Sequence, residues 1–210
     1  MRSIFFTKLQ HSGEIPAPLS EGEPQRGFSI RNIACGAVLI AALGSGGGCE
    51  TRSVASGATV DLPRLSFVLP AGWEKVPPSS SMRVAQAVIP GPGGGAEMAV
   101  FHFGAGQGGD VEANLQRWVG QVEPDAGSAP QRETFESNGL RVTWVEVRGT
   151  LKAGQMGMGP ATAQPNSRLL GAVIEGDGGP WFFKATGPDA ILGPQRDAFV
   201  AMLRSARPRG

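Results

Sequence analysis

Apolar and polar positions along the chain alternate in short blocks, and the blocks change period as they go. Leu65-Ser66-Phe67-Val68-Leu69 is an apolar run stopped by Pro70-Ala71-Gly72 ahead of Trp73, which predicts a strand and a turn. Met82 to Ile89 and Glu97 to Phe103 alternate with period two, setting Met98, Val100 and His102 against Ala99, Phe101 and Phe103. The glycines of 104–109 break this second strand. Asp110 then suits a helix N-cap, with Val111, Leu115, Trp118, Val119 and Val122 following at helical spacing.

Strands return in the second half. Arg132–Ser137 and Leu140–Thr150 flank Asn138-Gly139, a strong hairpin signal because both turn residues tolerate positive φ. Ala153 to Asn166 reads as a loop rich in Gly, Met and Pro. Arg168–Glu175 and Trp181–Thr186 form a second hairpin around 176–180. A last helix runs from about Pro194 to Arg204, with Phe199, Met202 and Leu203 facing inward. Three strands, a helix, four strands and a helix, joined mostly as hairpins, predict an α+β domain with a largely antiparallel sheet packed against helices.

The first quarter of the chain follows different rules. Arg31 is the last charge before an uncharged stretch, Asn32 to Gly48, that contains the apolar run Ile33–Leu43 and ends at Cys49. The run is shorter than the ~20 apolar residues a bilayer span needs. It matches instead the apolar segment of a secretory signal, with small residues before the cleavage point. Gly46-Gly47-Gly48-Cys49 is similar to a bacterial lipobox, although Gly46 stands where Leu or Val is usual. This predicts residues 1–48 as leader and signal, lipidation at Cys49, a flexible tether over 49–61, and a folded domain over 62–206. The expected address is the cell envelope, lipid-anchored and facing the periplasm. Glu50 stands where an aspartate would favour inner-membrane retention, which tilts the expectation to the outer membrane.

Composition narrows the function classes. From Cys49 onward the chain carries 15 Lys plus Arg and 15 Asp plus Glu. A neutral domain lacks the clustered cations of a nucleic-acid binder, so no nucleic acid is expected. Cys35 and Cys49 are the only cysteines, which excludes a disulfide framework or a thiolate metal site in the domain. The expected partners are a membrane, through the anchor, and an envelope protein that the sequence does not identify.

Phe67-x-x-Pro70-x-Gly72-Trp73 opening a domain of this length resembles the PsbP-like family. Two further segments, Asn114-Leu115-Gln116-Arg117-Trp118-Val119-Gly120-Gln121 and Trp181-Phe182-Phe183-Lys184-Ala185-Thr186-Gly187-Pro188, look like its branch of exported bacterial proteins without assigned role. The likeness runs from about Leu62 to Ser205. It implies an antiparallel sheet between helices and carries no catalytic residues with it.

Candidate chemistry is sparse. Gly104-Ala105-Gly106-Gln107-Gly108-Gly109 matches GxGxxG, whose glycines can bring backbone amides against a pyrophosphate. Here the preceding strand alternates, and Asp110 puts a carboxylate where the phosphate would sit, so a flexible turn and no nucleotide are expected. His102 is the only histidine after the leader and would be the base of a small exported hydrolase, but no GxSxG accompanies it. It is expected on the less buried face of its strand. Met156 and Met158, joined by Met98 or His102, could offer soft ligands to Cu(I). No metal site and no cofactor are expected. Lys184 interrupts an aromatic strand and should lay its stem on apolar surface or pair with an acid.

Asn114, Arg117 and Gln121 make one polar stripe along the first helix beside Trp118. They are either its solvated face or a hydrogen-bonding surface for a ligand, with Arg117 able to grip a carboxylate. The expected function is a non-enzymatic binding or assembly module of the bacterial envelope, with the hydrolase and the metal-binding protein as alternatives.

Overall fold

The computed structural model describes residues 57–154 and 160–210, all within one unit, Gly48–Gly210. The leader, Cys49 and the Met156–Met158 pair lie outside the described residues. An antiparallel eight-stranded sheet organises the chain, in the order β3 (Glu74–Val76), β4 (Arg83–Gly91), β5 (Gly94–His102), β10 (Trp181–Pro188), β9 (Gln164–Glu175), β8 (Leu140–Leu151) and β6 (Val122–Pro124), with β7 (Gln131–Ser137) also paired to β8. A small sheet joins β1 (Thr59–Asp61), β2 (Leu65–Val68) and β11 (Arg207–Pro208). Helices α1 (Val111–Val119), α2 (Asp189–Leu192) and α3 (Arg196–Ser205) complete the α+β architecture.

The two faces of the large sheet are covered unequally. Side chains alternate along each strand, so Met98, Val100, Phe183, Ala185, Val142 and Trp144 share one face. Against them pack Phe67 from the small sheet, Ile191 and Leu192 of α2, and Phe199, Met202 and Leu203 of α3, making the larger apolar cluster. The other face presents Val145, Val147, Leu169, Val173 and Phe182, which Leu115 and Trp118 of α1 cover from above. One helix cannot roof eight strands, and among the described residues nothing else covers part of this second face.

The Phe67–Trp73 motif has a structural explanation. Phe67 meets Phe183 edge to face at 5.1 Å, the chain turns at Gly72 (φ 83°), and the Trp73 Nε1–H donates to Gln195 Oε1 at 2.9 Å at the start of α3. The motif ties the small sheet, the large sheet and the last helix together.

Several expectations change. The tether does not reach residue 61, because Val60 is buried and Thr59–Asp61 pair with β2. The domain also continues past 206: Arg207 pairs with Ser66, and Arg209 N–H donates to the Arg64 carbonyl at 3.0 Å. Val122 leaves α1 for β6, since Gly120 ends the helix and Val122 pairs with Leu151. The short elements β3 and α2 lack an apolar period long enough to be seen. The loop expected over 153–166 gives up its end to β9, which begins at Gln164. His102 lies on the covered face, not the less buried one. It follows Val100 in the strand's alternation and stacks on Trp181 at 3.8 Å.

Candidate functional site

The open part of the second face is a cleft of about 770 Å³, in the range of small-molecule sites. Its floor is β4, β5 and β10, and one wall is α1. The register sets out the floor in rows. Thr186 lies beside Glu97, Lys184 beside Ala99, and Phe182 beside Phe101, with Arg83 opposite Phe101 on the next strand. Polar groups gather toward the Thr186–Glu97 row and aromatic rings toward the Phe182–Phe101 row, from which Arg83 reaches back to Glu97. Met82 and Phe103 extend the apolar end, and they are the exposed large hydrophobic residues among those described, at 58% and 46%.

Lys184 owes its position to small neighbours. Ala99 flanks it on β5 and Gly171 on β9. A β-carbon at Gly171 would come within 2.6 Å of Trp118 Cε3, so this glycine is what lets α1 settle on the sheet beside the lysine. Trp118 in turn stands edge-on to Phe182 at 6.3 Å. The Lys184 ammonium donates to Gln121 Oε1 at 2.6 Å, so the two segments 114–121 and 181–188 face each other across the cleft.

The polar stripe on α1 divides in two. Asn114 is buried, and its Nδ2 donates to the carbonyls of Gly108 and Asp110 at 2.8 and 2.9 Å, which ties the glycine loop to the helix. Its Oδ1 accepts from Arg117 Nη2 at 2.5 Å and aims the guanidinium. Arg117 and Gln121 line the cleft together with Asn114. The glycine loop itself runs into the Asp110 cap, whose Oδ1 accepts from Ala113 N–H at 2.9 Å. The carboxylate thus holds the helix N-terminus that a nucleotide phosphate would need.

Charge in the cleft is unbalanced. Glu97 is engaged at one end by Arg83, 2.7 Å from its Oε1, and by Gln86 Nε2, which donates to its Oε2 at 2.9 Å. The Arg83 Nη1 contact is misaligned for a hydrogen bond and leaves that buried nitrogen without one. Neither Arg117 nor Lys184 forms a salt bridge among the described residues, where eight other arginines do. Burial, and then the cations of Arg117 and Arg83, push the Lys184 pKa down from 10.5 to about 8, with Glu97 acting in the opposite sense. Lys184 therefore pairs with an amide and not with an acid, one of the two surroundings expected for it.

Among the described residues His102 has no nucleophile or acid as a hydrogen-bond partner. Its Nδ1 contacts the Pro180 carbonyl at 3.1 Å while its ring lies flat on Trp181. A backbone carbonyl and an indole fix the ring, and neither is a nucleophile. Met98 is sealed in the core and unavailable to a surface metal. Among the described residues no group of three His, Cys, Asp or Glu side chains could hold a metal, and no helix is long and apolar enough to cross a membrane. A second hollow of about 560 Å³, under the loop from Asp125 to Gln131, holds Arg148, which Asp125 already pairs at 3.1 Å.

No family model matches the chain, and no curated protein is similar to it. Among solved structures, the domain is similar to the cyanobacterial PsbP (CyanoP) of Synechocystis sp. PCC 6803, at 14% identity over 80% of this chain and 99% of that one, with a TM-score of 0.45. It is also similar to LpqN of Mycobacterium tuberculosis, a protein involved in cell envelope biogenesis, at 14% identity over 73% of this chain and 90% of that one, with a TM-score of 0.46. The PsbP name suggested by the opening motif is thus also that of a structural neighbour. Both likenesses are remote, and they assign no role to the residues of the cleft.

The register shows why sequence alone missed Lys184 as a site residue. Its partners Gln121, Ala99 and Gly171 are 63, 85 and 13 positions away, brought together only by the sheet order β5-β10-β9 and the crossing of α1. A single lysine inside an aromatic strand was the one available signal.

Proposed function

We propose that this chain is a non-enzymatic binding module of the bacterial envelope, anchored by lipid at Cys49, that holds a small ligand in the cleft between α1 and the sheet. The observation that carries the binding half is the cleft itself, a hollow with two cations that no carboxylate partners among the described residues. Lys184 is partly buried, and a cation taken out of water with no acid beside it gains from an anion placed there, while Arg117 at the exposed rim adds to the attraction. The anchoring half rests on the uncharged stretch that ends at Cys49. Two or more acyl chains on that sulfur would hold the domain stably at a membrane, whereas one would hold it only marginally.

Two experiments test the two halves. Labelling cells with radioactive palmitate should mark the full-length protein and leave Cys49→Ser unmarked; a labelled Cys49→Ser protein contradicts the anchor. Native mass spectrometry of the protein extracted from its membrane should find a small molecule that leaves on denaturation. An empty domain in every preparation contradicts the binding module.

A further inference from the structure

The arrangement of the cleft also restricts the chemistry of its occupant, given the binding function proposed above. We infer that the cleft takes a single-chain amphiphile with an anionic head, a carboxylate or a phosphate ester on an unbranched hydrocarbon tail. Lys184 and Arg117 receive the head, and the tail lies along Phe101, Phe182, Phe103 and Met82.

Three independent observations converge on this class. The first is charge. Lys184 and Arg117 face one hollow, held by Gln121 and Asn114 through neutral amides, so their positions are fixed while their charges stay uncompensated. Glu97, the carboxylate in the same cleft, is taken up by Arg83 and Gln86. An anion placed between the two cations would relieve their mutual repulsion and accept charge-assisted hydrogen bonds from both.

The second observation is the direction of the floor. Along the strands the rows pass from Thr186 and Glu97, through Lys184 and Ala99, to Phe182 and Phe101, two residues and ~7 Å at each step, and Arg83, opposite Phe101, is drawn back to Glu97. A ligand whose polar and apolar ends were mixed would not match this order. One with a charged head and an unbranched tail would.

The third is exposure. Met82 and Phe103 are the large hydrophobic side chains left in solvent among the described residues, and both border this cleft at its aromatic end. Phe103 continues the ring series, stacked near Phe101 at 6.5 Å and tilted on Phe182 at 5.9 Å. Covering them is a gain that only an apolar partner supplies.

Titration calorimetry on the full-length protein, below the critical micelle concentration of each probe, tests this. The probes are dodecanoate, dodecyl phosphate, the neutral dodecyl maltoside, and acetate. Dodecanoate or dodecyl phosphate should bind at least ~10-fold more tightly than dodecyl maltoside, as one charge-assisted bond is worth ~1.5–3 kcal/mol and tenfold is ~1.4. Acetate should not bind measurably. The ratio of the two anionic probes then separates a carboxylate from a phosphate head. Lys184→Met and Arg117→Gln should each lower the affinity for the anion by ~10-fold or more and leave the neutral probe unchanged. Circular dichroism confirms that each variant is folded, and Phe103→Ser provides an independent lesion at the tail end. Equal affinity for neutral and anionic probes, or anion binding that survives both cation variants, overturns the inference while leaving a cleft that binds. Failure of every probe also overturns it, and the native mass spectrum decides whether the broader function falls with it.

Discussion

Charge is treated in opposite ways on the two faces of the sheet. On the covered face Glu146, whose side chain is 6% exposed, is gripped by Arg168 and by Arg196, the latter at 2.8 Å. Arg168 also donates to Asp189 at 2.6 Å, and Asp189 meets Arg148 at 3.4 Å. Every one of these ions has an opposite neighbour. On the half-covered face the partly buried Lys184 and the exposed Arg117 have amide partners and, among the described residues, no acid. The first arrangement fastens α2 and α3 to the sheet ends. The second lowers the pKa of its own lysine to about 8, a cost that makes sense at a site awaiting an anion.

The comparison can be broken most forcefully from the covered side. Glu146→Gln leaves two arginines around a neutral amide, and removing one partner of a buried ion pair typically costs ~3–5 kcal/mol. Urea unfolding should show that loss as a lower midpoint with an unchanged slope. A variant as stable as the parent would mean that the network does not fasten the helices.

Gly171→Ala should act next most strongly, on the seating of α1. Its new methyl meets the Trp118 ring at 2.6 Å, and overpacking of this kind costs ~1–3 kcal/mol. The same variant should alter tryptophan fluorescence, because the indole must leave its place against Phe182.

Lys184 supplies a pH test. Its folded pKa is near 8 and its unfolded value 10.5, so between these the unfolded chain binds the extra proton. Stability therefore rises as pH climbs from about 8 to 10.5, and is flat in this respect below and above. The gain should be on the order of 2 kcal/mol. The chain has no tyrosine to blur the window. Lys184→Met should abolish the rise and be at least as stable as the parent at neutral pH. A rise that persists in the variant would assign it to another group.

Phe103→Ala should have the smallest effect on stability, within ~0.5 kcal/mol, because the ring is 46% exposed. It sharpens the contrast with Phe183→Ala. That change empties a fully buried site on the covered face and should cost ~3–5 kcal/mol by the same denaturation assay.

The covered face was far more legible in the sequence than the open one. Phe199, Met202 and Leu203 announce their burial by helical spacing, and Asn138-Gly139 takes the positive φ values, 52° and 77°, that fix the β7–β8 register. Period and turn chemistry act over a few residues, so they survive in a linear reading. The stripe of Asn114, Arg117 and Gln121 was visible for the same reason. Its division into a loop tie and a cleft wall was not, because that depends on Gly108 lying against the helix start and on which strand crosses beneath. Of the elements of two to four residues, β1, β3, β6, α2 and β11 carry too short a period to be read and form because the rest of the fold offers them edges and ends. By contrast, β2 was legible from the apolar run that Pro70-Ala71-Gly72 stops.

The most direct measurement is the titration of the Lys184 side chain itself, followed by NMR of its ε-carbon in the free protein and with dodecanoate present. The expected result is a free pKa near 8, well below the ordinary lysine value, and an upward shift once the anion neutralises Arg117 and pairs with the ammonium. Affinity for dodecanoate should then be constant from about pH 6, where the carboxylate is ionised, to about pH 8, and fall as pH rises further. A lysine that titrates near 10.5 in the free protein, or one whose pKa does not move when the amphiphile binds, would contradict the account of this cleft.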